Sequence, residues 1–315
     1  MIHHISLFKR SDGHRGGVEK FAAHLQVAFP DLQMWALSDF AQARGEPWEK
    51  AKALNLWLLQ TERIKKDDIV IADGYWGTGL GGKVNLIAVC HGCYVGEAMQ
   101  HEIHPWADPA VILRHAAAQK HVYMRAQMVV AVSHQAAREL ERCYDLEARV
   151  VLNGVNAGAF RPIPSKRQPQ NLILHVASPG RKQSEMVDKV KGLAPGLKIE
   201  HLSVHHGGEG IEAARWQQGA VFFQPSLYEG LSYASLESLS CGLPVVGYRT
   251  GLWCDVPEGA GGVGEITDDH NEFEYVRLLQ HVIGHWKEYR PREWVLQNAT
   301  VQQFIAKWQE IAQQM

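Results

Sequence analysis

Two glutamates in the second half of the chain, Glu229 and Glu237, have seven residues between them. Glu229 follows a short apolar run and a Pro-Ser step, and Glu237 lies within an apolar pattern that has helical spacing. Ionised carboxylates only accept hydrogen bonds, and they therefore suit ligands that carry several hydroxyl groups. The pair predicts a site for a hydroxyl-rich ligand such as the ribose and sugar of a nucleotide sugar.

The residues between the two glutamates indicate an anion site beside them. Gly230 has no Cβ, so the backbone can approach a ligand closely there. The amides of residues 232–235 belong to the first turn of the predicted helix, where N–H groups lack helical partners and the helix dipole favours negative charge. A diphosphate fits these amides, with one carboxylate before them and one after.

A βαβ unit is expected to position these residues. Residues 221–223 predict a buried strand, residues 233–241 a helix, and residues 245–248 the next strand. Gly242 should end the helix, because glycine is favoured just after a helix C-terminus. The loop that contains Glu229 then lies at the carboxyl edge of a parallel sheet, where α/β folds bind ligands.

This stretch resembles the donor-site signature of the retaining GT-B glycosyltransferases, specifically glycosyltransferase family 4. That family has two glutamates at this spacing, preceded by Pro-Ser and followed by a Cys/Ala-Gly-x-Pro-Val run, here Cys241-Gly242-Leu243-Pro244-Val245. The resemblance implies an α/β protein of GT-B architecture, with two Rossmann-like domains whose parallel sheets face each other across a cleft. It also implies transfer of a sugar from a UDP- or GDP-sugar to a hydroxyl acceptor with retention of configuration, by front-face attack and without a metal or cofactor.

The resemblance also implies roles for individual residues. Glu237 would accept the ribose hydroxyls, and Lys182 would hold the diphosphate, although the sequence leaves open whether Arg181 or Ser178 takes the family's arginine position. His91 matches a histidine near the transferred sugar. The predicted catalytic residues are Glu229, His91 and Lys182, and the predicted donor-binding residues are Gly16, Gly17, Arg181, Lys182, Glu229, Gly230, Leu231, Ser232, Tyr233, Ala234 and Glu237.

The predicted domains are residues 1–160, an acceptor-side domain, and residues 161–298, a donor-binding domain. A proline-bearing segment at 161–170 separates them, and a C-terminal helix at about 299–315 is expected to pack back on the first domain. The glycine-rich segment 74–82 is expected to be an irregular loop. Its Tyr75 and Trp76 either stack on an acceptor or, in the case of Trp76, anchor the loop in the core.

Composition limits the class of protein. A net charge of −2 gives no reason to expect nucleic-acid binding, and 46% hydrophobic and 21% charged residues are typical of a globular protein. The odd count of five cysteines, with Cys90 and Cys93 as a lone CxxC, favours a reducing cytoplasmic location and plain thiols over a metal site. No apolar run is long enough to span a membrane, although a basic helix after Pro109 leaves peripheral membrane contact or an anionic acceptor open.

Two other functions remain open at the level of sequence. One is a GT-B enzyme of another kind, an epimerase or hydrolase of sugar nucleotides, which would consume the donor without an acceptor. The other is a non-catalytic module that binds sugar or nucleic acid, whose activity would not depend on Glu229. A DNA glucosyltransferase is a minor option. It would need a basic cleft, which the net charge of −2 does not indicate.

Overall fold

The computed structural model of the protein describes residues 1–9, 16–40, 44–99, 108–163, 171–177, 183–203 and 211–315. The chain forms two compact units, the first from Met1–Leu152 with Phe304–Met315 and the second from Asn153–Gln303. Residues 153–160, which the sequence analysis assigned to the first domain, lie in the second unit. As independently folding domains, 1–160 and 161–298 stay a prediction.

The first unit is built on a parallel sheet of six strands in the order β2-β1-β3-β4-β5-β6. Its middle strands are apolar along nearly their whole length, as expected for strands covered on both faces. The elements are β1 (Ile2–Ile5), α1 (Gly17–Ala28), β2 (Gln33–Trp35), α2 (Pro47–Gln60), β3 (Ile69–Asp73), β4 (Asn85–Cys90), α3 (Tyr94–Met99), α4 (Pro109–Tyr123), β5 (Met128–Ala131), α5 (His134–Tyr144) and β6 (Arg149–Val150).

The second unit is built on a parallel sheet of five strands in the order β11-β10-β9-β7-β8. Its elements are β7 (Leu172–Ala177), α6 (Ser184–Leu193), β8 (Lys198–Ser203), α7 (Ala213–Trp216), β9 (Val221–Gln224), α8 (Tyr233–Ser240), β10 (Val245–Tyr248), β11 (Gly264–Thr267), α9 (Glu272–His285) and α10 (Pro291–Asn298). The last helix, α11 (Val301–Gln313), begins in the second unit and continues in the first.

The glycine-rich segment after β3 corrects one expectation. Residues Gly74–Gly77 form a short 3-10 helix, so this part of the segment is not an irregular loop. Tyr75 and Trp76 are only 8% and 5% exposed and belong to the core of the first unit. The structure therefore favours the anchoring role of Trp76 over stacking on an acceptor, because a buried ring has no face for a ligand.

Candidate functional site

The predicted donor loop connects β9 to α8. Strand β9 is wholly buried, and the loop that follows it is also buried except at Gly230 and Ser232, which are half-buried. Glu229 is 7% exposed. Helix α8 starts at Tyr233, so the loop delivers its backbone directly to the first turn of the helix. Buried loops of this kind are uncommon, because backbone polar groups need partners away from water.

Thr250 and Gly251 support the Glu229 loop from the neighbouring strand end. The Glu229 amide donates to Thr250 Oγ1 at 3.1 Å. Gly251 has φ +59°, and a Cβ placed there would lie 3.0 Å from Glu229 Cβ and from the carbonyl oxygens of Glu229 and Gly230. A glycine is thus required at 251 both by the left-handed backbone and by the close approach of the loop.

Gln224, the last residue of β9, connects three elements through one amide oxygen. Its Oε1 accepts from Ser235 Oγ at 2.6 Å and from Trp253 Nε1 at 3.0 Å. Ser235 lies in the first turn of α8, and Trp253 lies in the 3-10 helix Gly251–Cys254. These bonds hold the amino end of α8 in a fixed place relative to the Glu229 loop.

Glu237 lies on the second turn of α8 and is 3% exposed. Its Oε2 accepts a long hydrogen bond, 3.4 Å, from Nε1 of Trp216, a residue of α7 that is fully buried. A carboxylate in this position is largely removed from water, and buried carboxylates require hydrogen-bond partners.

Asn153 joins the same loop from the start of the second unit. Its Nδ2 donates to the Leu231 carbonyl at 3.4 Å, and its Oδ1 is buried with no hydrogen-bond partner among the described residues. A buried acceptor without a donor costs free energy, so this atom is a candidate partner for a ligand hydroxyl. Asn153 is not among the residues that the sequence analysis predicted for the site.

His91 lies in the first unit, directly after β4, and its side chain is 23% exposed. Its Nε2 is 2.8 Å from Asp73 Oδ1, and Asp73 Oδ2 is 3.0 Å from Nε2 of His4. Burial opposes ionisation of Asp73, but the charges of His4 and His91 and their hydrogen bonds outweigh it, so the pKa of Asp73 lies well below its ordinary value.

Gly16 and Gly17 form the start of α1, with Gly16 as the N-cap and both residues exposed. A Cβ at Gly16 would lie 2.7 Å from Oε2 of Glu19, so the absence of a side chain leaves room for that carboxylate. Phe21, one turn later, packs edge-on against the ring of His91 with centroids 4.8 Å apart. Helix α1 therefore places the predicted glycine pair and the predicted histidine in the same part of the first unit.

The structure thus brings together Glu229, Gly230, Leu231, Ser232, Tyr233, Ala234 and Glu237 within one βαβ unit. Arg181, Lys182 and Ser178 lie outside the described residues. Sequence analysis missed Gln224, Trp253, Asp73 and His4 because each acts through a partner distant along the chain. For Thr250 and Gly251, the sequence does contain a signal that could have indicated a role in the site. The run Arg249-Thr250-Gly251 directly follows β10, just as the Glu229 loop directly follows the neighbouring strand β9.

Within the described ranges, no three or more His, Cys, Asp or Glu residues form a group that could hold a metal ion. The described helices also include none of the length and apolar character required to cross a bilayer.

Two family models match the chain in succession. Residues 10–158 match the family model described as Glycosyltransferase Family 4, and residues 155–281 match the model described as Glycosyl transferases group 1. The comparison with curated proteins finds no match.

Three solved structures are similar over nearly the whole chain. Sucrose-phosphate synthase from Thermosynechococcus elongatus has a TM-score of 0.75 at 14% identity, covering 99% of this chain and 98% of its own. Anabaena HepE, solved with UDP and glucose, has a TM-score of 0.74 at 14% identity, covering 100% and 99%. WaaG, a glycosyltransferase involved in lipopolysaccharide biosynthesis, has a TM-score of 0.69 at 12% identity, covering 99% and 99%.

Two parallel-sheet α/β units and this similarity define a protein with the GT-B fold, which confirms the predicted fold class. The chain belongs to the glycosyltransferases, with a family 4 domain followed by a group 1 domain. It is therefore an enzyme of the sugar-transferring class, as the resemblance predicted.

Proposed function

We propose that the protein transfers a sugar from a nucleoside diphosphate sugar to a hydroxyl group of a glycan, a lipid or a small molecule. The observation that carries this proposal is the pairing of two buried carboxylates, Glu229 and Glu237, around the first turn of α8. Anabaena HepE has been solved with UDP-glucose, which supports a UDP-sugar as the first donor to test. A GDP-sugar is the alternative donor, as the resemblance implies.

In this proposal the donor's diphosphate lies at the amides of Tyr233 and Ala234. The amino end of α8 favours the negative charge there, and Lys182, with Arg181 or another cation, supplies positive charge as the nucleoside diphosphate departs. Charge on the leaving group grows toward the transition state, so a fixed cation stabilises that state more than the bound donor. Glu237 accepts from the ribose, and Glu229, with the amides of Gly230 to Ser232, holds the sugar.

We further propose that the anomeric configuration is retained. The acceptor oxygen forms its bond to C1 on the face from which the diphosphate oxygen leaves, and a phosphate oxygen takes the acceptor's proton. Proton NMR of the product, against a donor of known anomeric configuration, tests this step. A product of the opposite configuration would remove it.

Metal independence is a separate part of the proposal. The helix amides and Lys182, with Arg181 or another cation, neutralise the diphosphate in place of a divalent ion. We expect transfer to continue at an unchanged rate in excess EDTA, measured as release of the nucleoside diphosphate. Loss of activity in EDTA and its return with Mg²⁺ or Mn²⁺ would overturn this part alone.

A cytoplasmic location is also proposed, from cysteine usage. All five cysteines lie in the described residues and none forms a disulfide.

A lipid acceptor would require contact with a membrane surface, and Val111 and Leu113 are exposed apolar residues on α4 beside Arg114. Sedimentation with anionic lipid vesicles measures this contact.

Donor binding is the first test of the proposed function. A donor at 100 times its dissociation constant stabilises the folded state by about 2.7 kcal/mol, which thermal unfolding detects. We expect a shift with UDP-glucose or a GDP-sugar, and loss of that shift in Glu237→Gln. Glu293→Gln, at a residue of α10 whose side chain is 67% exposed, is the control and should keep it.

Two results would contradict the proposal. One is the absence of a shift with any nucleotide sugar, and the other is a shift that Glu237→Gln leaves intact. Consumption of the donor with no acceptor present, at the rate seen with one, would instead identify a hydrolase or an epimerase.

A further inference from the structure

A groove between helices α2 and α4 of the first unit has no part in the proposed donor site. Its volume is about 510 Å³, which lies in the range of small-molecule sites. Helix α2 supplies Trp48, Glu49 and Lys52, and Thr78 lies just after the 3-10 helix that follows β3. Helix α4 supplies the remaining lining residues, which are Arg114, Ala117, Ala118 and His121.

The lining residues of α4 form one face of that helix. They stand at positions i, i+3, i+4 and i+7, the spacing at which helical side chains share a face. Arg114 and His121 lie at the two ends of this face, and both are exposed. Ala117 and Ala118 lie between them, and their short side chains leave open the space that longer ones would fill. The face thus has a basic side chain at each end and an opening in the middle.

Positive charge is concentrated at this groove. Neither Lys52 nor Arg114 forms a side-chain hydrogen bond or an ion pair with another described residue. Burial, followed by the charges of Arg125 and Lys52, lowers the pKa of His121. Lys52 comes from α2 and His121 from α4, so their charges interact between the two helices. An anion in the groove would supply the opposite charge that these side chains lack in the described part of the chain.

His121 offers a hydrogen-bond donor even when it is neutral. Arg125 Nη1 donates to His121 Nδ1 at 3.1 Å, because arginine has no acceptor, and the neutral ring must then carry its proton on Nε2. Lys52, Arg114 and His121 therefore present three separate donor groups. A phosphate monoester carries about −1.5 to −2 charge at pH 7 and three acceptor oxygens, which match these donors in number and in charge.

The other lining residues favour a sugar ring attached to that phosphate. Glu49 is exposed, and its Oε2 accepts from the Glu46 amide at 2.8 Å, so Oε1 can accept from a ligand hydroxyl. Thr78 Oγ1 donates to the Tyr75 carbonyl at 2.6 Å and keeps its lone pairs for a second hydroxyl. Trp48 is half-buried and offers an apolar surface to the C–H groups of a ring. A carboxylate at the groove also disfavours a bare anion relative to a ligand with hydroxyl groups.

We propose that the groove between α2 and α4 is a binding site for a phosphorylated monosaccharide. Lys52, Arg114 and His121 donate to the phosphate oxygens, and Trp48 packs against the sugar ring. Glu49 and Thr78 accept from its hydroxyl groups. The site lies wholly within the first unit and goes beyond the proposed function, so it can be tested, and can fail, without a nucleotide sugar.

Isothermal titration with glucose 6-phosphate is the first measurement. Lys52→Gln and Arg114→Gln should each raise the dissociation constant about tenfold, as for loss of one charge-assisted hydrogen bond. Both side chains are exposed and without ion pairs among the described residues, so the variants should stay folded. Absence of binding, or an unchanged dissociation constant in both variants, would overturn the proposal.

Lys50→Gln provides the matched control on the same helix. Lys50 lies two residues before Lys52 and does not line the groove, because residues at that spacing do not share a helix face. The substitution removes the same charge and should change the dissociation constant by less than about twofold. A loss as large as that in Lys52→Gln would mean that net charge, rather than the groove, attracts the ligand.

Inorganic phosphate and glucose separate the two parts of the ligand. Each should bind at least about tenfold more weakly than glucose 6-phosphate, since phosphate has no ring for Trp48 and glucose has no charge for the basic side chains. Equal affinity for inorganic phosphate would overturn the saccharide part and leave an anion site. Equal affinity for glucose would overturn the role of Lys52 and Arg114.

The indole N–H signal of Trp48 locates the ligand in NMR spectra. Trp48→Phe identifies this signal by its disappearance and keeps an aromatic ring at the position. Glucose 6-phosphate should shift the signal in wild-type protein and shift it less in Arg114→Gln at the same concentration. A Trp48 signal that stays in place while other signals move would put the ligand outside the groove and overturn the assignment.

Discussion

The backbone of Glu229 is supported by the two residues Thr250 and Gly251. Its amide donates to Thr250, and its carbonyl and Cβ lie against Gly251. These contacts hold the backbone of the loop at Glu229 against the end of the neighbouring strand. A binding site organised in this way loses affinity when its supporting residues move, even if the carboxylate itself remains.

Gly251→Ala tests that support. The new Cβ would lie 3.0 Å from three atoms of the Glu229 loop in a left-handed backbone conformation, which costs on the order of 1 kcal/mol or more. We expect the donor dissociation constant to rise about tenfold, since a loop shift costing about 1.4 kcal/mol of binding free energy has that effect. Isothermal titration with the donor measures it.

Gly259→Ala is the matched control for this substitution. Gly259 also has a positive φ, +77°, but a Cβ there would meet nothing within 4 Å. Both variants should lose stability in thermal unfolding because of the positive φ, Gly251→Ala the more because of its close contacts, and only Gly251→Ala should weaken donor binding. Equal donor affinity in the two variants would show that Gly251 does not position the loop.

His24 makes stability depend on pH. Burial, followed by the nearby charge of Lys20, lowers the pKa of His24 from 6.5 to about 4. Between pH 6.5 and about 4, the unfolded chain therefore binds more protons at His24 than the folded chain does. The stability that comes from burying a neutral His24 is complete above pH 6.5 and is lost as the pH falls toward 4.

His24→Gln should remove this part of the acid sensitivity, on the order of 1–2 kcal/mol after allowance for partial exposure. Urea unfolding at pH 7 and pH 4.5 measures it. The difference between the two free energies of unfolding should shrink relative to wild type, and it should not change in His134→Gln, an exposed histidine on α5. An unchanged difference in His24→Gln would contradict the assignment.

At the scale of elements, α1 and α11 pack through an aromatic cluster made of Phe21, Phe304 and Trp308. All three are at most 1% exposed. Trp308 carries a cost within this cluster, because its Nε1 is buried with no hydrogen-bond partner among the described residues. The ring contributes packing, whereas the N–H group opposes burial.

Two substitutions at Trp308 separate these effects. Trp308→Ala should destabilise the first unit by about 3–5 kcal/mol through the cavity it leaves. Trp308→Phe also loses volume but removes the buried donor, which offsets about 1–3 kcal/mol, so we expect a net change within about 1 kcal/mol. Denaturant unfolding of both variants checks this, and a loss of about 1–3 kcal/mol in Trp308→Phe would mean that the N–H group carries no cost.

The donor-site elements were largely predictable from the sequence. The strand at 221–223 and the helix at 233–241 correspond to β9 (Val221–Gln224) and α8 (Tyr233–Ser240), because apolar runs and Gly242 mark their ends. Strand β2 (Gln33–Trp35) is harder to predict, since a half-exposed edge strand has a weak apolar pattern. The 3-10 helix at Gly74–Gly77 was missed because glycine spacing says little about tertiary packing.

The missing parts of the site are contacts between residues far apart in sequence. His4 and Asp73 are 69 positions apart, and Glu229 and Thr250 are 21 apart. A single sequence has no pattern that joins such residues, because register and loop geometry decide the contacts. The resemblance supplied residue roles but no partners, so the supporting residues came from the structure.

At the scale of the whole molecule, the five cysteines are distributed over both units, so their thiol reactivity can be measured in each unit in one experiment. Burial raises the pKa of Cys93 to about 11, and burial followed by Glu237 raises that of Cys241 to about 12. Burial also raises the pKa of Cys90 far above its ordinary value. The thiolate is the reactive form, so these three should react slowly, whereas the half-buried Cys143 and Cys254 should react first.

Titration with a chromogenic disulfide reagent at pH 8 should therefore show two fast thiols in the native protein and five after denaturation.

Cys254 ends the 3-10 helix that begins at Gly251, beside the Glu229 loop, whereas Cys143 lies on α5 of the first unit. A nucleotide sugar bound at the proposed site should slow Cys254 and leave Cys143 unchanged. The variants Cys143→Ser and Cys254→Ser assign each phase. Protection of Cys143 alone would place the ligand elsewhere, because only Cys254 shares an element with the support of Glu229.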